Sequence, residues 1–193
     1  MFLEHLVLLF QMIFKLGFVP DSFSIGILTP MPKKGKPLCQ CSSFRPITVA
    51  TVFCKLFEAL VVDELPSKCT VPDHQFGFQP GLGCGHGLFA LVSALIDAEK
   101  SGESIALDTH DVRRAFDSLI HEQISLDMGL AGVDPSMLNP LYDMYKNLKS
   151  RLKLPTTLNL TNNLVLPIKK GVRQGALTSP TAFNNSIVKP QSK

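Results

Sequence analysis

Residues 104–117 read SIALDTHDVRRAFD. Residues 104–108 are mostly apolar and predict a short buried strand. Three aspartates, Asp108, Asp111 and Asp117, follow at and after its end. A carboxylate at a strand end can bind a divalent cation through its oxygens, but aspartate is also common in turns and at helix starts. Both interpretations stay open from this stretch alone.

A second group of residues lies further along the chain at 171–180, which read GVRQGALTSP. We predict a basic, flexible turn that leads into a helix started by Ser179 and Pro180. Within the turn, glycine permits close backbone approach to a ligand, glutamine both donates and accepts, and arginine offers a planar cation for phosphate. The alternative is a simple loop with a helix cap.

A third group lies near the start of the chain and joins a lysine-rich loop to residues 43–48, which read SFRPIT. The loop contains Lys33, Lys34 and Lys36. It places positive charge beside a predicted strand and would suit a triphosphate. The alternative is an ordinary exposed basic turn.

Apolar periodicity predicts the other elements. Residues 81–87 are rich in glycine, but no strand precedes them, so they do not form a dinucleotide-binding loop. Helices and strands alternate without a repeating βαβ order, which favours the α+β class. Helices are expected at 1–19, 51–65, 88–96, 121–130 and 135–150, and strands at 23–29, 45–49, 104–108, 152–160 and 164–168.

The charge is unevenly distributed, although the net charge of the 193 residues is only +3. With 45% hydrophobic and 18% charged residues, the composition excludes a disordered, collagen-like or coiled-coil chain. All 16 acids lie in residues 1–143, and residues 144–193 hold nine lysines and arginines. This basic third either follows a nucleic-acid backbone or is a solvated face. Its predicted nucleic-acid-binding residues are Lys146, Lys149, Arg151, Lys169, Lys170 and Arg173.

The cysteines and the N-terminus bear on location. Five cysteines, an odd number without zinc-site spacing, fit a reducing compartment. Residues 1–19 lack a basic leader and carry Glu4 and His5, so we expect neither a signal peptide nor a membrane span. An intracellular location, cytoplasmic or nuclear, is favoured, with no membrane partner.

Taken in order, these groups resemble the fingers and palm of a reverse transcriptase of the non-LTR retrotransposon kind. The resemblance implies an incomplete right-hand polymerase fold, with a fingers-like region at 1–103, a partial palm at 104–193 and no thumb. The segments that carry it are 27–35, 44–48, 55–58, 75–78, 111–117 and 171–183.

The resemblance also implies roles for individual residues. Asp111 matches the first metal-binding, catalytic aspartate of the palm, with Mg²⁺ or Mn²⁺ as the cofactor. Phe116 matches an aromatic gate that crowds a ribose 2′-hydroxyl. Gln174, with Gly175 after it, matches the residue that touches the nucleotide sugar and base. Lys34 and Arg45 match residues that hold the triphosphate. The implied partners are an RNA template, a DNA primer and deoxynucleoside triphosphates.

The sequence departs from the family at its C-terminal end. The family completes its metal site with an aromatic-x-Asp-Asp segment, whereas this chain has no acid after Asp143. We therefore expect a truncated fragment that is inactive alone. We also expect Asp111 to lie in a cleft that it shares with the turn around Gln174, called the glutamine turn, and with the basic loop of Lys33, Lys34 and Lys36. One alternative is a non-catalytic nucleic-acid-binding remnant that uses the basic third. Another is a decayed translation product without function.

Overall fold

The structure is a computed structural model that describes residues 1–65, 74–112, 114–153 and 164–187. It combines helices with a single mixed sheet, which confirms the predicted mixture of α and β elements. The helices are α1 (Phe2–Leu16), α2 (Asp21–Ser24), α3 (Val52–Glu64), α4 (Cys84–Ser101), α5 (Ala115–Ser118), α6 (His121–Leu130), α7 (Pro135–Lys146) and α8 (Ser179–Ile187). The strands are β1 (Ile25–Pro32), β2 (Phe44–Val49), β3 (Lys149–Leu152) and β4 (Val165–Pro167).

The sheet has the strand order β2-β1-β3-β4. β1 runs antiparallel to β2 and parallel to β3, and β4 runs antiparallel to β3. Ile27 on β1 lies opposite Val49 on one side and Arg151 on the other. Because paired residues share a face, these three side chains lie on the same side of the sheet, and all are exposed.

The first strand differs from its predicted bounds of 23–29. Residues 21–24 form the short helix α2, and the strand continues through Pro30 to Pro32. The pairing with β3 ends at Leu28, and Pro30 lies opposite Pro46. Proline is tolerated there because no described residue pairs with that edge of β1 beyond Leu28, so the edge needs no backbone donor toward the described part of the chain.

The hydrophobic core lies among the helices. α6 packs against α7 and α8, and α1 packs against α7. At the centre of the core Phe57, Met128, Leu141 and Met144 are at most 2% exposed. Each such side chain contributes roughly 2 kcal/mol through its removal from water. Among the helices in the described ranges, none combines the length and apolar character that crossing a bilayer requires.

Local periodicity predicted several elements well. The helices α1, α3 and α6, strand β2 and the helix start at Ser179 match their predictions closely. The predicted helix 135–150 ends early, at Lys146, because residues 149–152 pair with β1 and β4 as strand β3. Strands β3 and β4 pair antiparallel near the predicted hairpin, but β3 covers 149–152, whereas the predicted strand was 152–160, and residues 154–163 lie outside the described residues.

The predicted strand at 104–108 is wrong. Residues 103–112 form no regular element and are exposed throughout. A strand needs a neighbour to take its backbone hydrogen bonds, and within the described ranges no strand lies beside this segment.

Candidate functional site

The glutamine turn lies against the outer edge of strand β2. Gln174 forms a bridge with Ile47, and the Thr48 amide donates to the Gln174 carbonyl at 3.0 Å. Gly175 has a φ of 109°, and a Cβ atom there would lie 3.3 Å from the Thr48 carbonyl oxygen. This left-handed backbone favours glycine, so the glycine after Gln174 lets the turn approach the strand.

The same turn is joined to the segment that contains α5. The Val172 amide donates to the Phe116 carbonyl at 2.9 Å, and the Gly171 amide donates to the Leu119 carbonyl at 2.7 Å. Gly171 has a φ of 89°, and a Cβ atom there would lie 2.9 Å from the Asp117 Cα. Only glycine fits this contact without moving the backbone. The structure therefore brings together Phe116 and the glutamine turn, two of the predicted groups.

A small cavity of about 220 Å³ opens where these elements meet, and we call it the polar cavity because Asp117 and Lys170 lie in its otherwise largely apolar wall. At its edge Gln174 Nε2 donates to Asp117 Oδ1 at 3.2 Å. The cavity walls also include Lys170, Thr48 and Ser150. An amide, a carboxylate, an ammonium group and two hydroxyls can together hold a small polar ligand by hydrogen bonds and charge.

A wider cavity of about 770 Å³ lies beside the polar one and shares the wall residues Leu28 and Pro46 with it. It continues along the sheet to Phe44 and Leu152 and is mainly apolar, with Lys153 as its charged residue. The amide, carboxylate, ammonium and hydroxyl groups that could orient a polar ligand lie in the smaller cavity.

Arg173 corrects one prediction. It was expected to contact a nucleic-acid phosphate, but it is 4% exposed and packs beneath the turn. Its guanidinium donates to the Phe23 carbonyl at 2.8 Å through Nη2 and to the Cys54 sulfur at 3.6 Å through Nη1. A side chain held in this way anchors the turn to helices α2 and α3, although Arg173 also lies in the wall of the polar cavity.

Glu58 supports the other end of the turn. Its carboxylate is fully buried and accepts the Leu177 amide at 2.9 Å through Oε2. Burial raises the pKa of Glu58, although the Leu177 amide and the charge of Arg173 oppose the shift. Burial, followed by the nearby charge of Glu58, also raises the pKa of the Cys54 thiol to about 11. Cys54 is therefore a neutral core residue, since a reactive cysteine needs its thiolate form.

Phe116 belongs to a cluster of three phenylalanine rings. Its ring centroid lies 5.9 Å from that of Phe78 and 5.4 Å from that of Phe183 on α8. The ring is half-buried against the core. The residue predicted to gate the sugar is thus held by contacts with two other aromatic rings.

Asp111 is not among the residues that line the polar cavity. It is exposed in segment 103–112, and it forms no hydrogen bond or ion pair with any residue that the structure describes. The carboxylate at the cavity is that of Asp117. Within the described ranges no three acidic, histidine or cysteine side chains converge to hold a metal ion. These residues alone do not build a Mg²⁺ site, so metal binding by Asp111 stays a prediction.

The predicted triphosphate residues Lys34 and Arg45 are exposed. Lys34 lies in the turn between β1 and β2, and Arg45 lies on β2. Arg45 alternates with Pro46, which lines the cavity, so Arg45 faces the opposite side of the sheet. The structure therefore separates Arg45 from the cavity walls.

The remaining predicted nucleic-acid residues are exposed in the structure. Lys149 and Arg151 alternate with buried Ser150 on β3 and thus share the outer face of the sheet with Arg45. Lys146 lies in the last turn of α7. Lys169 and Lys170 lie between β4 and the glutamine turn, and Lys170 also lines the cavity.

Sequence reasoning gave no role to two residues that hold the site. Glu58 lay within segment 55–58, which carried the family resemblance, but helical periodicity alone marked it as an ordinary helix position. Asp117 was one of three aspartates left open between a divalent-cation site and turn or helix-start residues. The signal that could have indicated burial of Glu58 is its position in a predicted helix directly after the apolar residue Phe57.

The comparisons with known proteins agree on one family. The profile described as reverse transcriptase (RNA-dependent DNA polymerase) matches residues 31–190. The chain is 26% identical over 183 residues to the probable RNA-directed DNA polymerase from transposon X-element of Drosophila melanogaster, covering 93% of this chain and 20% of that protein. It is 26% identical over 187 residues to the RNA-directed DNA polymerase from mobile element jockey of Drosophila funebris, a match that covers 94% of this chain and 20% of that protein.

A third relative belongs to another element. The chain is 27% identical over 179 residues to the retrovirus-related Pol polyprotein from type-1 retrotransposable element R2 of Nasonia vitripennis, covering 91% of this chain and 17% of that protein. The chain thus spans about a fifth of the length of the curated relatives it matches. The predicted resemblance to non-LTR retrotransposon reverse transcriptases is confirmed.

Proposed function

Because this chain belongs to the reverse transcriptase family, we propose that it supplies the nucleotide-facing half of a polymerase site for RNA-templated DNA synthesis. In this proposal residues 1–103 form the fingers-like region and residues 104–193 form part of the palm. The template is RNA, the primer is DNA and the substrates are deoxynucleoside triphosphates.

One observation carries the proposal: the glutamine turn joins β2 to the segment of Phe116 and Asp117. Thr48 of the FRPIT strand bonds Gln174, which in turn bonds Asp117. Three stretches that are distant in the sequence thereby meet around one polar cavity. A convergence of separate elements on a cavity is what a substrate site requires.

The proposed roles follow from chemistry that this chain's own residues can perform. Gln174 both donates and accepts, which suits a nucleotide sugar or base edge. Phe116 would crowd a 2′-hydroxyl. Lys34 would neutralise charge on the β- and γ-phosphates, whereas Arg45 faces the opposite side of the sheet and could do so only for a triphosphate that extends beyond the cavity. Asp111 would supply one carboxylate to Mg²⁺, which stabilises the attacking and leaving oxygens when it is bound.

Nucleotide binding tests this proposal directly. We expect the chain to bind dATP with Mg²⁺ in a calorimetric titration. Gln174→Ala should weaken binding by about tenfold, the effect of removing one hydrogen bond. Lys100→Ala, an exposed substitution on α4, is the control and should leave affinity unchanged. The proposal fails if the unmodified chain does not bind dATP.

Polymerisation is a separate question. We expect no DNA synthesis by this chain alone, because Asp111 is its only proposed metal carboxylate and a two-metal site needs more. Primer extension on an RNA template with Mg²⁺ or Mn²⁺ measures this. Synthesis that disappears in Asp111→Ala would show that the expectation of inactivity is mistaken.

A second candidate function is nucleic-acid binding without catalysis. It is favoured by the outer face of the sheet, where Arg45, Lys149 and Arg151 accompany the exposed apolar residues Ile27 and Val49. Cations that are mixed with apolar groups suit a single strand, whose phosphates and bases are both accessible.

The two candidates differ in their response to salt and to Asp111. Fluorescence anisotropy with a labelled single-stranded RNA should show affinity that falls as salt rises. A Lys149→Ala, Arg151→Ala double variant should weaken binding and reduce the salt slope by about 0.7 for each phosphate that the protein no longer neutralises. Asp111→Ala should have no effect. Affinity that is independent of salt would exclude this function.

A further inference from the structure

Phe78 has a backbone conformation that is uncommon for a residue with a side chain. Its φ is 57°, in the left-handed region that glycine adopts without strain. Gly77 directly precedes it, yet the positive φ falls on the phenylalanine. For a bulky residue this conformation is an outlier, and such outliers concentrate at sites where geometry matters.

A buried asparagine holds the preceding turn in place. Asn184 on α8 is 4% exposed, and its Nδ2 donates to the Gly77 carbonyl at 3.1 Å. Its Oδ1 accepts Gln75 Nε2 at 3.3 Å. Since Asn184 is fixed in a packed helix, these bonds fix the direction in which Phe78 leaves the turn.

The constrained side chain is aimed at Phe116. The two ring centroids are 5.9 Å apart with the planes at 70°, an edge-to-face contact. Phe78 also makes an edge contact with Phe183, at 6.3 Å and 85°. The Phe78 side chain is still 55% exposed. Burial of the Phe78 side chain therefore does not account for its strained backbone, which instead accompanies the contacts of its ring with Phe116 and Phe183.

We propose that Phe78 is a positioning residue that fixes the Phe116 ring and thereby sets the preference for deoxyribose over ribose. This inference rests on the proposed function, in which Phe116 lies under the nucleotide sugar. Phe116 contacts both Phe183 and Phe78, which also contact each other, so the three rings form a triangular cluster in which Phe78 supports Phe116 next to Phe183. Without Phe78, the Phe116 ring gains room to move away from a 2′-hydroxyl.

The test compares the affinities of the full chain for dATP and ATP, each with Mg²⁺. Phe78→Asn removes the ring and accepts the left-handed backbone, so the fold should persist. It should lower the dATP-to-ATP preference by about fivefold, the scale of one aromatic contact. Phe78→Tyr keeps the ring and should retain the preference. Phe89→Asn is the control, since Phe89 is 74% exposed on α4 and contacts no other ring in the described ranges.

A second measurement reports on Phe116 itself. With selectively labelled phenylalanine, the Phe116 ring signals should shift in Phe78→Asn and stay in place in Phe89→Asn. An unchanged Phe116 signal, or an unchanged preference in a Phe78→Asn chain that still binds dATP, overturns this inference and leaves the proposed function standing. An unmodified chain that binds neither nucleotide overturns the proposed function and this inference with it.

Discussion

The glutamine turn, residues 171–178, and the acidic segment, residues 103–112, were predicted to face one cleft. In the structure they differ in how their backbones are hydrogen-bonded and in their exposure. The turn is bonded to β2, to α5 and to α3. The acidic segment is exposed, and beyond its first residue its backbone bonds to nothing in the described ranges. The comparison teaches that a motif becomes a rigid site only where neighbouring elements satisfy its backbone groups.

The difference arises from the neighbours that each segment has. Two side chains support the turn from below, that of Arg173 within the turn and that of Glu58 on α3, and both are buried between helices. Their charged groups bond Phe23 and Leu177, so that the turn is held from below at both ends. Segment 103–112 follows α4, which is itself largely exposed. Substitutions in the two regions should therefore differ greatly in cost.

Removing Glu58 should give the largest effect. Glu58→Ala leaves the Leu177 amide without its acceptor and Arg173 without a nearby opposite charge. We expect the free energy of unfolding to fall by about 4 kcal/mol, measured by urea denaturation. The exposed Glu99→Ala on α4 is the control and should change it by less than about 0.5 kcal/mol. Equal costs for the two variants would remove the contrast between the regions.

Adding one methyl group at Gly171 should come next. Gly171→Ala places a Cβ atom 2.9 Å from the Asp117 Cα at a positive φ, and we expect a loss of about 3 kcal/mol. Gly35→Ala is a matched control, because Gly35 has a φ of 75° but open space around it. It should cost only about 1 kcal/mol, from the backbone alone. Urea denaturation of both variants separates steric clash from backbone strain, and similar losses would contradict the close contact.

The pH dependence of stability should show a smaller effect. Burial raises the pKa of Glu58 in the folded state, so the folded chain binds this proton more tightly than the unfolded chain does. Its contribution to stability is therefore full below the unfolded pKa and is lost as pH rises toward the folded pKa. Arg173, Lys55 and Cys54 face the carboxylate, and the two cations limit the loss.

Glu58→Gln isolates this contribution, since its amide oxygen can still accept the Leu177 amide. As pH rises above 4.5, the ordinary pKa of a glutamate, the unmodified chain should lose stability relative to this variant, by at most about 1.4 kcal/mol over the first pH unit. Parallel urea unfolding curves across this range are the measurement. A difference that grows in the opposite direction would show that the charge of Arg173 outweighs burial.

The smallest effect should come from Asp111. Since the side chain is exposed and bonds to no described residue, Asp111→Ala should change the free energy of unfolding by less than about 0.5 kcal/mol. Backbone amides of residues 104–112 should also exchange with solvent much faster than the Val172 amide, which bonds Phe116. A loss above about 1 kcal/mol would mean that this segment packs against the fold.

Elements with a strong local pattern were predictable from sequence. Helix α3 carries apolar residues at helical spacing, and its N-cap Thr51 accepts the Cys54 amide. Strand β2 was found as well. The strand predicted at 104–108 failed because apolar composition does not reveal whether a pairing partner exists. The helix end at Lys146 was missed because β1, far away in sequence, draws residues 149–152 into the sheet.

The candidate site was predictable in its parts and less so in its arrangement. Phe116 and Gln174 were named from sequence, and the structure brings their segments together. Arg173 was predicted to meet phosphate because arginine so often does, but it is buried. Asp117 takes the place at the cavity that was expected for Asp111. Charge alone does not tell which acid or cation will face solvent.

The family, the order of the motifs and most helices could be read from the amino-acid sequence, because these depend on residue identity and on neighbours a few positions away. Only the tertiary structure decided that Arg173 and Glu58 lie inside, that the glutamine turn rests on β2, and that the acidic segment stays exposed. The physical reason is that burial and backbone pairing are satisfied by residues 100 or more positions apart, such as Glu58 with Leu177 and Phe23 with Arg173.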